Sequence, residues 1–333
     1  MEVQQMGACD GMNEFVLLSH WTGRFGNRMH QYAYGATYSR LNDVDFFLCS
    51  DWEGTILFRN PAHRLLPDEN LRIRINQIRG AHREQYRERV ISDFMERTGL
   101  EVHYLSPETS PEPYRRQPFT YFSSLCAYNP AIFAPMSSDH LREIFQFSDE
   151  VKSLDIYKRL EDMQGSYDIA HLRRDDIANP QAVKSGYSVI SIDAYRRAFR
   201  KYGFEESSIL WVSDDYSNQW AEQLGFRVDA TRLGWSYPLG SGYCPGIVFD
   251  WLADFLKLYF ARTIFRANSS FSWWAGFLSP TARVFSPRLT ERKLYGQHGL
   301  VEIEPDFEEG NHPHWVSLSS SPCPDIIIES AAC

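Results

Sequence analysis

Arg262-Thr263-Ile264-Phe265-Arg266-Ala267-Asn268-Ser269-Ser270-Phe271-Ser272-Trp273-Trp274 is the stretch whose reading decides the fold. Its first six residues are rich in β-branched and aromatic side chains and short enough to form a buried strand, while Trp273-Trp274-Ala275-Gly276-Phe277-Leu278 reads as the apolar start of a helix. A strand that delivers its carboxyl end into a helix amino terminus is an α/β element. It is also an anion-binding geometry, because the first helical N–H groups lack internal partners and the helix dipole favours negative charge there. Asn268, Ser269, Ser270 and Ser272 are the candidate donors; the alternative is that Asn268 or Ser272 only caps the helix and the Trp pair only fills the core.

Outward from this stretch the pattern repeats. Upstream, Val248, Trp251, Leu252, Phe255, Leu256 and Tyr259 follow the i, i+3, i+4, i+7 spacing of an amphipathic helix, as do Ile192, Tyr195, Phe199 and Tyr202. Asp168–Leu172, Ile209–Ser213, Arg227–Val228, Thr263–Ala267 and Arg283–Phe285 read as strands. In the amino-terminal half, Phe15 to Leu18, the turn Gly23-Arg24-Phe25-Gly26-Asn27, a helix from Arg28 to about Leu41 and the run Val44 to Cys49 make a βαβ unit. Residues 68–104 have helical periodicity, Pro107 to Pro118 reads as a loop, and residues 138–164 read as helix.

Ligands of open parallel sheets bind beyond the carboxyl ends of strands. Three groups of polar residues fall there: His171 to Asp176, Ser213 to Asp215, and Asn268 to Ser272. His171-Leu172-Arg173-Arg174-Asp175-Asp176 packs two guanidiniums, an imidazole and two carboxylates into one segment, and an arginine fork suits phosphate oxygens. Strand alternation sends His171 and Arg173 to one side and Arg174 to the other. An Arg–Asp ion-pair network is the structural alternative. Asp214 and Asp215 either bind sugar hydroxyls or cap a helix starting near Ser217. Gly23, Gly26 and Asn27 form a turn able to bring backbone close to a ligand, and His30 lies one turn into the helix that follows.

Composition narrows the function classes. The 333 residues, 43% hydrophobic and 15% aromatic, suffice for a large core and two domains. A formal net charge of −9 argues against general affinity for nucleic acid or anionic membrane, so an anionic ligand must be met by a local basic cluster. No apolar run approaches the ~18 residues of a membrane span, and no signal peptide is read, so a cytoplasmic location is expected. Six Cys lie far apart without CxxC or paired Cys/His spacing, which suggests neither a zinc site nor a dense disulfide framework and makes a reducing compartment the simpler reading.

The strings GRFGNRMHQYAYG, HLRRDD, SDD and DFLKLYFARTIFRANSSFSWWAGFLSP, in this order and spacing, resemble the α-1,2-fucosyltransferase family and, more distantly, the α-1,6- and protein O-fucosyltransferases. The resemblance covers roughly residues 15–50 and 165–290. It implies a GT-B-type α/β fold of two Rossmann-like domains facing a central cleft: an acceptor-side domain over residues 1–160, a GDP-sugar-binding domain over 161–300, and a tail over 301–333. The implied activity is inverting transfer of fucose from GDP-fucose to a glycan hydroxyl, with neither metal nor other cofactor. A different nucleotide sugar on the same scaffold, or a non-catalytic nucleotide- or glycan-binding protein, is the alternative.

By the same resemblance Arg173 meets the donor β-phosphate, His171 lies beside the guanine, Asp254 accepts from guanine N–H groups, and Ser270 donates to the β-phosphate. Arg174, Asn268, Ser269, Ser272, Gly23, Gly26 and Asn27 complete the expected donor site. The chain departs from the family in Asp175-Asp176-Ile177, where Gly-Asp-Tyr is usual, and in Asn27-Arg28-Met29-His30, where Asn-Gln-Met-Phe is usual. Gln181 stands where α-1,6 enzymes carry a glutamate thought to act as base. Asp175, Asp176 and His30 are therefore the candidates for that role, beside Arg173 as the catalytic cation.

Overall fold

A computed structural model of the chain describes residues 15–18, 21, 23–59, 61–67, 88–89, 92, 96, 103–104, 119–122, 138–174, 189–214, 228–234, 249–288 and 302–312. Two compact units result, Met1–Ser148 with Gly234–Pro245, and Asp149–Leu233 with Gly246–Cys333. The division falls ahead of the expected residue 160.

In the first unit, β1 (Phe15–Leu18), β2 (Asp45–Leu48), β3 (Arg64–Leu65), β4 (His103–Tyr104) and β5 (Phe119–Phe122) pair in the order β3-β2-β1-β5-β4, all parallel. Parallel neighbours need crossovers, and α1 (Phe25–Asn42) supplies the one between β1 and β2. The central strand β1 is buried along its whole length, which is why Phe-Val-Leu-Leu runs apolar instead of alternating. Helix α1 ends where Asp43 adopts φ 53°, a left-handed conformation that Asp tolerates, and its amide returns to the Ser39 carbonyl. A short α2 (Gly54–Leu57) and α3 (Ser138–Ile144) follow in the same unit.

Residues 138–164 do not form the single helical stretch that periodicity predicts. Phe147 is drawn into an antiparallel bridge with Phe58, and Arg59 N donates to Gln146 O at 2.8 Å and Ser148 N to Leu57 O at 2.9 Å. These bonds stop α3, and the chain restarts as α4 (Asp149–Ser153) and α5 (Asp155–Asp162) in the second unit.

There β6 (Asp168–Leu172), β8 (Ile209–Ser213), β9 (Thr263–Phe265), β10 (Arg283–Pro287) and β12 (Phe307–Glu309) form a sheet in the order β12-β10-β9-β6-β8. Only β12 is antiparallel. The expected tail thus begins inside the fold: β12 closes the sheet, and β11 (Glu302–Ile303) pairs with β7 (Val189–Ile190). Residues 313–333 lie outside the described residues. So do most of 68–104, all of the Pro107 to Pro118 segment, and Arg227; Val228 is in no strand, and its carbonyl accepts from Phe249 N.

The expected amphipathic helices are α6 (Ile192–Tyr202) and α7 (Asp250–Phe260). Ser191 caps α6 by accepting from Ala194 N at 3.1 Å, Asp193 and the Arg200-Lys201 pair complement the dipole, and Gly203 at φ 77° ends it in a conformation glycine favours. Its apolar face, with Tyr195 and Phe199, covers Trp211, Phe265 and Phe285 of the sheet. Helix α7 packs against both α5 and α8 (Ser270–Leu278), so it is buried on nearly every side.

At the amino-terminal edge of this sheet Arg262 grips buried Asp168 with both arms, Nε to Oδ1 at 2.9 Å and Nη2 to Oδ2 at 2.5 Å. Arg262→Ala strands a buried carboxylate, and we expect a loss of about 2 kcal/mol in urea unfolding. An unchanged midpoint would show the pair to be neutral.

Candidate functional site

Helix α8 begins where the opening stretch predicts, but its cap is neither Asn268 nor Ser272. Ser269, extended at φ −136° and ψ 131°, accepts from Phe271 N at 3.3 Å. Ser272 lies one turn inside; it is fully buried, and its hydroxyl donates to Ser269 O at 3.3 Å, which turns it away from a ligand. Ser270 is the first helical residue, so its amide lies in the first turn of the helix. Trp273 and Trp274 are core, with Trp273 stacked on Phe277 at 5.1 Å. Gly276 lets α8 lie close to β10, since a Cβ there would approach Val284 to 3.0 Å.

Three side chains, from Arg266, Ser286 and Asn311, fix this helix. Arg266, fully buried, donates through Nε to Ser286 Oγ at 2.7 Å and through Nη2 to the His312 carbonyl. Ser286 Oγ donates to Gly310 O at 2.6 Å, and Asn311 Nδ2 donates to Trp273 O at 2.9 Å, so residues 310–312 strap α8 to the sheet. Burial pushes the Arg266 guanidinium down to about 9, still protonated at neutral pH.

The carboxyl end of β6 lies beside β9 and brings the basic cluster to α8. His171, buried, has its carbonyl held by Tyr195 Oη at 2.7 Å and its ring 5.8 Å from Phe271, which in turn meets Phe255 of α7 edge-on at 5.2 Å. Arg173 Nη1 donates to Asn268 O at 3.5 Å, a long bond that links the strand end to the residue before the α8 cap. Arg174 N donates to Asp214 Oδ1 at 2.6 Å. Asp214 therefore ties the end of β8 to that of β6. Asp215, Ser217, Asp175, Asp176 and Gln181 lie outside the described residues.

Asp254 sits on α7, which packs against α8. Its Oδ1 accepts from Lys257 Nζ at 3.3 Å, and burial pushes its carboxyl up to about 7 against the pull of Lys257, with Asp250 and Asp214 raising it further. Burial in turn lowers Lys257. No partner engages Asp254 Oδ2 among the described residues. The edge thus combines a cation and helix N–H groups for an anion with a carboxylate one helix away for N–H donors. His171, Arg173, Arg174, Asn268, Ser269 and Ser270 are brought together there, with Asp254 on the adjoining helix. The pattern of polar residues at strand ends pointed to the first six, and the family resemblance alone to Asp254. Phe271, Tyr195 and Lys257, which position them, read as core or surface in the sequence and carried no such signal.

The remaining candidates belong to the first unit. Gly23 has φ 72°, and a Cβ there would lie 2.3 Å from Asn27 Nδ2, so the turn requires glycine for Asn27 to fold back. Asn27 N donates to Arg24 O at 2.9 Å as α1 begins, and Gly26 is buried in its first turn. His30 does not suit the role of base: it is 4% exposed, and burial lowers it to about 3. Cys49 is buried. Among the described residues no group of three or more His, Cys, Asp or Glu is placed to hold a metal ion, and no helix is long and apolar enough to cross a membrane.

No protein-family model matches the chain, and no curated protein matches its sequence. Solved structures do. NodZ α-1,6-fucosyltransferase soaked with GDP-fucose aligns at TM-score 0.44 and 15% identity, over 83% of this chain and 96% of that one. A mutant of Arabidopsis thaliana FUT1 in complex with GDP aligns at TM-score 0.49 and 16% identity, over 87% and 73%. POFUT1 in complex with GDP aligns at 0.42 and 11%, over 84% and 98%. At these scores the matches carry no argument of their own, and the functional reading rests on the residues.

Proposed function

We propose that the chain is an inverting glycosyltransferase of GT-B type that moves fucose from GDP-fucose to a glycan hydroxyl, in α-1,2 linkage to galactose or a similar sugar. The observation that carries this reading is the meeting of Arg173 with Asn268 O ahead of the α8 amino terminus. In the proposed reaction the acceptor oxygen attacks the anomeric carbon from the face opposite the leaving group. The bond from sugar to phosphate breaks and its electron pair departs on GDP, while the acceptor's hydroxyl proton passes to a carboxylate base, with Asp175 and Asp176 as the candidates. Arg173 and the first-turn N–H groups of α8 meet the charge that develops on the β-phosphate, so the proposal routes no step through a metal. His171 and Asp254 serve the guanine, the latter through the unengaged Oδ2.

The test is GDP or UDP release measured with GDP-fucose, GDP-mannose and a panel of UDP-sugars. Turnover is expected with GDP-fucose above the others. Absence of binding and turnover with every GDP-sugar would overturn the reading, and tight GDP binding without transfer or hydrolysis would mark a binding protein instead.

A further inference from the structure

The first unit holds a prepared carboxylate at the carboxyl edge of its own sheet. Strand β2 ends at Leu48, and Asp51 follows. Among the described residues every contact of this carboxylate falls on Oδ1, which accepts from Trp52 N at 3.0 Å and from the Thr55 hydroxyl, and lies 3.9 Å from His63 Nε2. The His63 ring is itself fixed. Its Nδ1 lies 2.9 Å from Tyr32 Oη, and that oxygen accepts from Ala62 N at 2.7 Å. In the tautomer that carries the ring proton on Nε2, facing Asp51, Nδ1 accepts from the Tyr32 hydroxyl. Tyr32 is buried and stacks on Trp52 at 4.9 Å, so the chain Tyr32–His63–Asp51 is anchored in the core.

Capping of the short α2 accounts for the bonds from Trp52 and Thr55 but not for His63, nor for the other oxygen. Oδ2 has no partner among the described residues, and the Asp51 side chain is 17% exposed. Next to it Trp52, 1% exposed, has an indole N–H without an acceptor among the described residues. One oxygen is immobilised and the other is open, which is the arrangement that receives a hydroxyl with little loss of freedom. Burial raises the Asp51 carboxyl, making the ionised form a stronger proton acceptor than a free carboxylate.

We infer that Asp51 binds a hydroxyl of a saccharide acceptor through Oδ2, with His63, Thr55 and Tyr32 as positioning residues, an assignment that rests on the glycosyl-transfer reading above.

Asp51→Asn tests this in the full chain, because it keeps an acceptor at Oδ1 for Thr55 and Trp52 while turning Oδ2 into a donor. Methyl β-galactoside and lactose serve as probes in saturation-transfer NMR, with GDP affinity and transfer to lactose measured separately. We expect saccharide affinity and transfer to fall about 10- to 100-fold, with GDP affinity unchanged. Tyr32→Phe, which keeps the carboxylate but frees His63, should raise the KM for lactose several-fold and leave GDP affinity intact; an unchanged KM removes the positioning role. Equal saccharide affinity in wild type and Asp51→Asn, or no saccharide binding by wild type, overturns the assignment. A wild type that ignores GDP overturns the glycosyl-transfer reading instead, and the NMR arm still decides Asp51.

Discussion

Arg173→Ala should abolish useful GDP affinity, weakening it about 30- to 100-fold, while the thermal midpoint stays close to wild type. The two halves of this expectation have separate causes. A guanidinium meeting phosphate makes charge-assisted, paired hydrogen bonds, each roughly twice as strong as a neutral one, so deleting it removes about 2–3 kcal/mol from binding. In the ligand-free fold the same side chain donates to Asn268 O at 3.5 Å, a long and weak bond. Its neighbours are held by other means: His171 O by Tyr195 and Arg174 N by Asp214. Isothermal titration with GDP beside differential scanning calorimetry separates the outcomes. If the variant binds GDP as wild type does, the basic segment is structural and the donor assignment fails. Arg173→Lys should recover only part of the affinity, because an ammonium keeps the charge and loses the fork.

The second α/β unit was the more legible because its pattern is periodic. Asp168–Leu172 and Ile209–Ser213 appear as strands at the bounds read from sequence, and α6 and α7 bury the faces their spacing predicts. The cap of α8 is Ser269, where the sequence reading offered Asn268 or Ser272, since all three have capping side chains and only backbone geometry distinguishes them. The break between α3 and α4 was invisible for a different reason: it is made by a bridge from Phe147 to Phe58, a contact across 89 positions that no local propensity encodes. Asp51 was missed although the rule that found Arg173 applies to it. It follows the end of β2 just as Arg173 follows the end of β6, yet a single acid after a strand does not stand out as two guanidiniums do. Its partners His63 and Tyr32 come from separate elements and meet only in the fold.

Asp254→Asn carries the other large effect, and its signature is a changed pH dependence. Asp254 titrates near 7 in the folded chain against 3.8 for an ordinary aspartate, burial being the main cause, with Lys257 opposing it and Asp250 and Asp214 adding to it. Between those two values the folded chain holds a proton that the unfolded chain has released, so this group's contribution to stability is lost as pH rises through about 7. Ligand binding has the opposite sign. Accepting from guanine N–H groups requires the carboxylate, so GDP binding must pull the proton off, and affinity should fall about tenfold per pH unit below 7. The phosphates of GDP titrate too, but they do so equally in both proteins, and the difference between wild type and Asp254→Asn isolates the side chain. We expect the variant to bind GDP about 100-fold more weakly at pH 8, where wild type is ionised, and the gap to narrow toward pH 5. A gap that is constant with pH would mean that Asp254 supports the fold of α7 through Lys257 and does not receive the base.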